Sequence, residues 1–250
     1  PAVLFYRGRL DRLEHPALAI VGARHCTVSG RAVATSLSRA AMQLGQVVVS
    51  GLARGIDESA HRASHGWTIA VLGQGLGSTM AWGRRSLADQ IVERGGLLLS
   101  EFLPHLPASR WTFPQRNRVI AGLASATLVI EATQKSGSLI TARHALDYGR
   151  EVLAVPGHPS HPLAQGTLQL IRDGAQMVAS RQDLQDALGL TPLAVDGDFL
   201  SIELLEIGCT IEDLLESTEM SSGELQARLA RGILMGQLHK LPGDRFIRVR

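Results

Sequence analysis

Short apolar runs recur along the first three quarters of the chain: LAIVGA from Leu18, VVVS from Val47, TIAVLG from Thr68, GLLLSE from Gly96, TLVIEA from Thr127 and EVLAVPG from Glu151. Continuous runs, as opposed to alternating ones, suit strands covered on both faces, as in a parallel sheet. The segments between them have a helical period. After Ser29, read as an N-cap, Val33, Leu37, Ala40, Ala41 and Leu44 line one face, and Gly45 stands where a helix ends in a left-handed residue. The alternation predicts an α/β fold over residues 17–188, a doubly wound parallel sheet with right-handed crossovers. Residues 1–16 read as a lead-in. Over 199–250 the pattern changes to three short helices, carried by Leu204, Leu205 and Ile207, then Ile211, Leu214 and Leu215 after Thr210 as cap, then Leu225, Leu229 and Ile233. A hairpin turning at Pro242, Gly243 and Asp244 follows. A linker is expected at 189–198, around Gly189, Pro192 and Gly197.

Charge sharpens this division. The 250 residues hold 25 Lys+Arg and 23 Asp+Glu, a net +2, which excludes a globally basic nucleic-acid coat. Residues 19–155 nevertheless carry 14 basic and 8 acidic side chains, whereas 156–250 carry 8 and 13; between Asp196 and Glu224 stand 9 acids and no base. Of the basic residues 23 are Arg and 2 are Lys, so an anion site must be built mainly from guanidinium forks. No apolar run is long enough for a membrane helix. The start at Pro1, without Met or a signal-like segment, reads as a cytoplasmic protein with upstream sequence missing. Cys26 and Cys209 have neither disulfide nor zinc spacing.

Ligands of doubly wound sheets bind beyond the carboxyl ends of the strands. Small residues and charge gather at those positions: Gly22, Ala23 and Arg24; SGLARGID from Ser50 to Asp57; GQGLG from Gly73; Glu131 and KSGSLIT from Lys135; Pro156 to His158. Glycine turns and helix N-termini favour anions, so Arg24, Arg54 and Lys135 are expected to converge on phosphate. Neither G-x-x-x-x-G-K-[ST] nor G-x-G-x-x-G is intact, which disfavours ATP hydrolysis and NAD chemistry. His61 and His65 have metal spacing without a third ligand. Asp57 is expected to cap its helix or hold Arg54. Arg116 and Arg118, at a helix start beside Trp111 and Phe113, suit either an anion site with base stacking or a solvated helix end.

In that order, AIVGAR, VVSGLARGID with the following AH, IAVLGQGL, LLLSEF, FPQRNRVIAGL, SGSLITARHAL, GREVLAVPG and GTLQLIRDGA resemble the DprA/Smf family of DNA-processing proteins over residues 3–188. The resemblance implies an extended Rossmann-like doubly wound domain in a cofactor-free, non-catalytic, homodimeric protein that binds single-stranded DNA and loads RecA recombinase onto it in transformation, with SSB a further candidate partner. It places Arg24 of the turn that begins at Gly22, Ser50, Gly51, Arg54, Lys135, Ser136 and Gly137 on a phosphate-gripping pocket, and Arg116 and Arg118 in a segment that is either DNA-contacting or structural. Leu168, Leu170, Ile171 and Met177 fall where the family dimerises, with ordinary core as the alternative. After GQGLG this chain departs from the family, reading S-T-M-A-W-G-R-R.

The resemblance also implies a C-terminal winged helix at 199–250. Its expected recognition helix follows the acidic run, which repels a phosphate backbone, so protein contact or regulation is favoured there. The competing functions are a phosphoribohydrolase-like nucleotide-processing enzyme and a nucleotide sensor. Against the first, PGHPSHPLAQGT lacks the paired glycines and the following acid of such enzymes.

Overall fold

The structure is a computed structural model that describes residues 1–190, 209–218, 220–234, 238–241 and 244–248. It divides into two units, Pro1–Leu190 and Thr191–Arg250.

The first unit is built on an eight-stranded sheet: β1 (Phe5–Gly8), β2 (Ala17–Val21), β3 (Val47–Ser50), β4 (Thr68–Leu72), β5 (Leu97–Ser100), β6 (Ala126–Val129), β7 (Glu151–Ala154) and β8 (Gln176–Met177). Their spatial order is β1-β5-β4-β3-β2-β6-β7-β8. All six apolar runs are strands, and β2 to β6 are buried at every position. Pairing is parallel from β5 across to β8. The lead-in holds more than was expected. Its FYRG segment pairs antiparallel with β5, Phe5 opposite Ser100, and forms one edge. With three of its four residues exposed, it has no buried run to announce it.

The helices are α1 (Val28–Gln43), α2 (Ile56–Ala63), α3 (Trp82–Glu93), α4 (Thr112–Leu123), α5 (Ser138–Asp147), α6 (Gln165–Arg172) and α7 (Arg181–Ala187). α1 packs on α2 and α7, and α4 on α5. The larger core joins Leu18, Ile20, Val48 and Leu128 of the central strands to Leu37, Ala40 and Ala41 of α1. Thr27, not Ser29, caps α1, its hydroxyl accepting from the Gly30 N–H at 2.8 Å. Gly45, at φ 71°, ends that helix as expected.

In the second unit Thr210 caps α8 (Ile211–Ser217) in a reciprocal capping box with Asp213. α9 (Ser222–Leu234) and the antiparallel pair β10 (Leu238–Leu241) and β11 (Arg245–Arg248) follow, and β9 (Cys209–Thr210) adds to β11. Leu214, Leu225, Leu229, Leu238 and Phe246 are buried. The expected linker from residue 191 onward, the first C-terminal helix around Leu204 to Ile207 and the turn at Pro242 and Gly243 lie outside the described residues. Among the described residues no helix is long and apolar enough to cross a membrane.

Candidate functional site

Sequence order in the sheet runs β2, β3, β4, β5 in one direction and then restarts beside β2 with β6, β7, β8. At such a reversal the loops after the two central strands diverge and leave a crevice. Here the crevice has a volume of about 770 Å³. It is lined by Gly22, Ala23, Arg24 and His25 after β2, Ala53 and Asp57 after β3, Ser109, Arg110, Phe113, Arg116 and Asn117 around the start of α4, and Thr133, Ser136, Gly137, Ser138 and Thr141 around the start of α5. Asp57 is the one acid among its lining residues, against Arg24, Arg110 and Arg116.

SGLARGID forms the most constrained wall. Leu52 is left-handed at φ 55°, a conformation that costs a leucine about 1–3 kcal/mol. Its N–H donates to His61 Nε2 at 3.3 Å. His61 Nδ1 lies 2.8 Å from Thr68 Oγ1, whose own proton goes to the Val48 carbonyl at 2.6 Å. Those partners require a neutral ring protonated on Nδ1. Burial first, then the charge of Arg116, pull the His61 pKa down to about 3. Asp57 accepts from the N–H groups of Gly51 at 3.2 Å and Ala53 at 3.4 Å. It therefore holds the loop backbone, where a helix cap or a partner for Arg54 was expected. Burial raises its pKa, partly offset by Arg116.

Arg116 completes this buried network from α4. Its Nη1 donates to the Gly51 carbonyl at 2.6 Å and also to the Val71 carbonyl. Only 5% of the residue is exposed. Burial lowers its pKa to about 10, with Asp57 opposing and the neighbouring charges of Arg24 and Arg84 adding to the shift. A Cβ on Gly51 would stand 2.4 Å from Arg116 Nη1, so this glycine makes room for the guanidinium. Gly55, at φ 83°, brings the loop against the β2 turn, where the Ile56 N–H reaches the Ala23 carbonyl at 3.2 Å.

These contacts correct several expectations. The Ser50 hydroxyl is fully buried and donates to the Ile20 carbonyl at 2.6 Å, and the Gly51 N–H is taken by Asp57, so neither is free to meet an anion. Arg116 supports the loop from beneath. Arg118, two residues on and so on another side of α4, pairs with Glu101 and does not converge with Arg116. The GQGLG turn spends the N–H groups of Gly75 and Gly77 on the carbonyls of Leu106 and Pro104.

The exposed cations remain. Arg24 is exposed with its guanidinium over the Phe113 ring, 5.2 Å from the centroid, which fixes its plane at the crevice mouth. Arg54 and Lys135 are exposed next to the lining residues Ala53 and Ser136. Ser136 and Gly137 line the crevice where α5 begins, the Ser136 hydroxyl 2.8 Å from that of Ser138. Gly22 lines it too, leaving space that the Ile56 side chain approaches. Sequence reasoning missed Arg110 and Asn117 as lining residues; nothing in local pattern separates them from a polar loop and helix face. Leu168, Leu170 and Ile171 of α6 are half-buried, while Met177 is 51% exposed on β8, the edge strand.

The family model for DNA recombination-mediator protein A matches residues 1–189. The chain belongs to that family, DprA/Smf. Protein Smf of Synechocystis is 43% identical over 204 residues, 79% of this chain and 51% of the relative. DNA processing protein DprA of Streptococcus pneumoniae is 43% identical over 189 residues, 74% and 66%. The crystal structure of pneumococcal DprA superposes with a TM-score of 0.69 at 41% identity, covering 73% of this chain and 65% of that one. DprA of Helicobacter pylori, whose structure was described for its single-stranded DNA binding mode, gives 0.69 at 28% identity, covering 74% and 86%. The chain thus spans between about half and two thirds of the length of these curated relatives.

Proposed function

We propose that this DprA/Smf family member binds single-stranded DNA without sequence preference or catalysis, and as a homodimer loads RecA onto such strands, SSB-coated ones included, in the cytoplasm. The observation that carries the reading is the crevice at the strand reversal. It combines guanidinium groups from two sides with one buried carboxylate, an arrangement suited to a phosphate chain. Arg24, Arg54 and Lys135 act as phosphate contacts in this reading, with Gly22, Ser136 and Gly137 letting the backbone approach. Ser50, Gly51 and Arg116 hold the loop that presents Arg54. The H. pylori relative supports the choice of ligand. Dimerisation is assigned to the β8 edge and α6, through Met177, Leu168, Leu170 and Ile171. The second unit is read as a winged helix that contacts protein.

The test is binding of mixed-sequence single strands as a function of salt. Arg54→Ala and Lys135→Ala are each expected to weaken binding and to lower the slope of log affinity against log salt by roughly 1 per lost contact. Unchanged affinity in the double variant refutes the crevice assignment. RecA loading is assayed separately on SSB-coated strands, and failure there removes the mediator role while leaving the binding assignment standing.

A further inference from the structure

The three tryptophans sit in contrasting surroundings. Trp67 is buried, with the Arg12 guanidinium 4.2 Å and the His15 ring 4.7 Å from its ring centroid. Trp82, at the start of α3, is 86% exposed. Trp111 is 69% exposed, yet its backbone is held closely. Ser109 Oγ accepts from the Trp111 N–H at 3.3 Å and from the Thr112 N–H at 3.2 Å, while Thr112 Oγ1 accepts from the Ser109 N–H at 3.0 Å. Trp111 then stands as the N-cap residue of α4, the helix that carries Arg116. A rigid turn therefore presents a large ring to solvent, where covering it would have been the stabilising choice.

The position of that ring relative to charge is specific. The Arg110 guanidinium lies over it, 4.7 Å from the centroid, and Arg110 lines the crevice. Two residues beyond Trp111, Phe113 lines the crevice as well and carries Arg24 on its face. The mouth is thus edged by two cation-on-ring pairs. In the Arg24 pair the ring is half-buried and the cation exposed; in the Arg110 pair the ring itself is exposed. Phosphates need the first arrangement. An open aromatic face needs a flat, weakly hydrated partner, and in a single strand that partner is the base attached to the next sugar.

We propose that Trp111 is a base-stacking residue, which takes a nucleobase on the open face of its indole while Arg110 holds the opposite face. The inference rests on the phosphate-crevice reading and adds to it the chemistry that tells nucleic acid from a bare polyanion. The occupant is any base, because stacking uses the π-face that all bases share. Arg110 serves twice, fixing the ring plane and adding positive charge beside the strand.

The experiment uses the full chain, with Trp82→Phe as background to remove the other exposed indole. The probes are an oligothymidylate and an abasic oligomer of the same length, which keeps the phosphates and lacks the bases. Trp111→Ala is expected to weaken oligothymidylate binding between about fivefold and a hundredfold. It should leave abasic-oligomer affinity and the salt slope unchanged, because no phosphate contact is lost. Trp111→Phe, which keeps a ring, should recover most of the loss. Indole emission should be quenched by oligothymidylate in the background protein, and that quenching should disappear with Trp111→Phe. Equal binding of oligothymidylate by the background protein and Trp111→Ala overturns the proposal, as does an equal loss for both oligomers. If those results accompany loss of binding in Arg54→Ala and Lys135→Ala, stacking alone has failed. Absence of binding to either oligomer in the background protein refutes the crevice reading and the stacking with it.

Discussion

Replacing Arg116 separates a buried support from a phosphate contact, the two roles the FPQRNR segment allows. Arg116→Ala withdraws the donor from the Gly51 and Val71 carbonyls and the charge that opposes the burial of Asp57. Leaving a buried charge and its carbonyl neighbours uncompensated costs about 3–5 kcal/mol. For a domain of this size 1 kcal/mol moves the melting midpoint by about 2–4 °C, so the variant should melt roughly 6–20 °C lower. Urea unfolding followed by Trp67, buried in the same unit, measures the change directly. Arg116→Lys keeps the charge and loses the planar fork, and should recover only part of the loss. In the Arg116→Ala background, Asp57→Asn should be less harmful than in the parent, since it removes the charge left unopposed. Below its melting range Arg116→Ala should bind single strands more weakly with an unchanged salt slope. A variant that melts within a degree of the parent while its slope falls by roughly 1 shows Arg116 to be a phosphate contact and refutes this account.

His61 makes the same network sensitive to acid. Its folded pKa of about 3 lies below the ordinary value of 6.5, so the unfolded chain binds the extra proton first and stability falls as pH drops below 6.5. The loss approaches about 1.4 kcal/mol per pH unit, or about 3 kcal/mol by pH 4. Asp57, with its raised pKa, acts in the opposite direction, its contribution growing as pH falls through the window above 3.8. The parent's urea midpoint should therefore fall from pH 7 to 4 relative to that of His61→Gln, narrowing or reversing the gap between them, and parallel curves sink the assignment. At the other end of the sheet, Met177→Asp places a charge on the exposed β8 edge. It should abolish the homodimer proposed for this edge, read by sedimentation, while costing the fold no more than about 1 kcal/mol; a dimer that persists in the variant moves the proposed interface elsewhere.

The central strands were legible in the sequence because burial on both faces leaves a local mark, an unbroken apolar run. β1 left none, since an edge strand of four residues, three of them exposed, has little to distinguish it from a loop. The glycine turns were equally visible, but their use was not. A glycine at a strand end is required both where an anion approaches and where a guanidinium or a neighbouring loop does. GQGLG and Gly51 prove to serve the protein's own carbonyls and side chains.

The sequence by itself determined the α/β class, the order of elements, the family and the gathering of cations at strand ends, because each depends on residue type and spacing along the chain. The tertiary structure alone decided which of those cations are exposed. Arg54 stands outward on a loop whose Leu52, Asp57 and Arg116 are tied down beneath it, and Arg116 and Arg118, near-neighbours in the chain, turn to different partners. A hydrogen bond between α4 and the end of β3 spans 65 residues of sequence, and no local pattern encodes it.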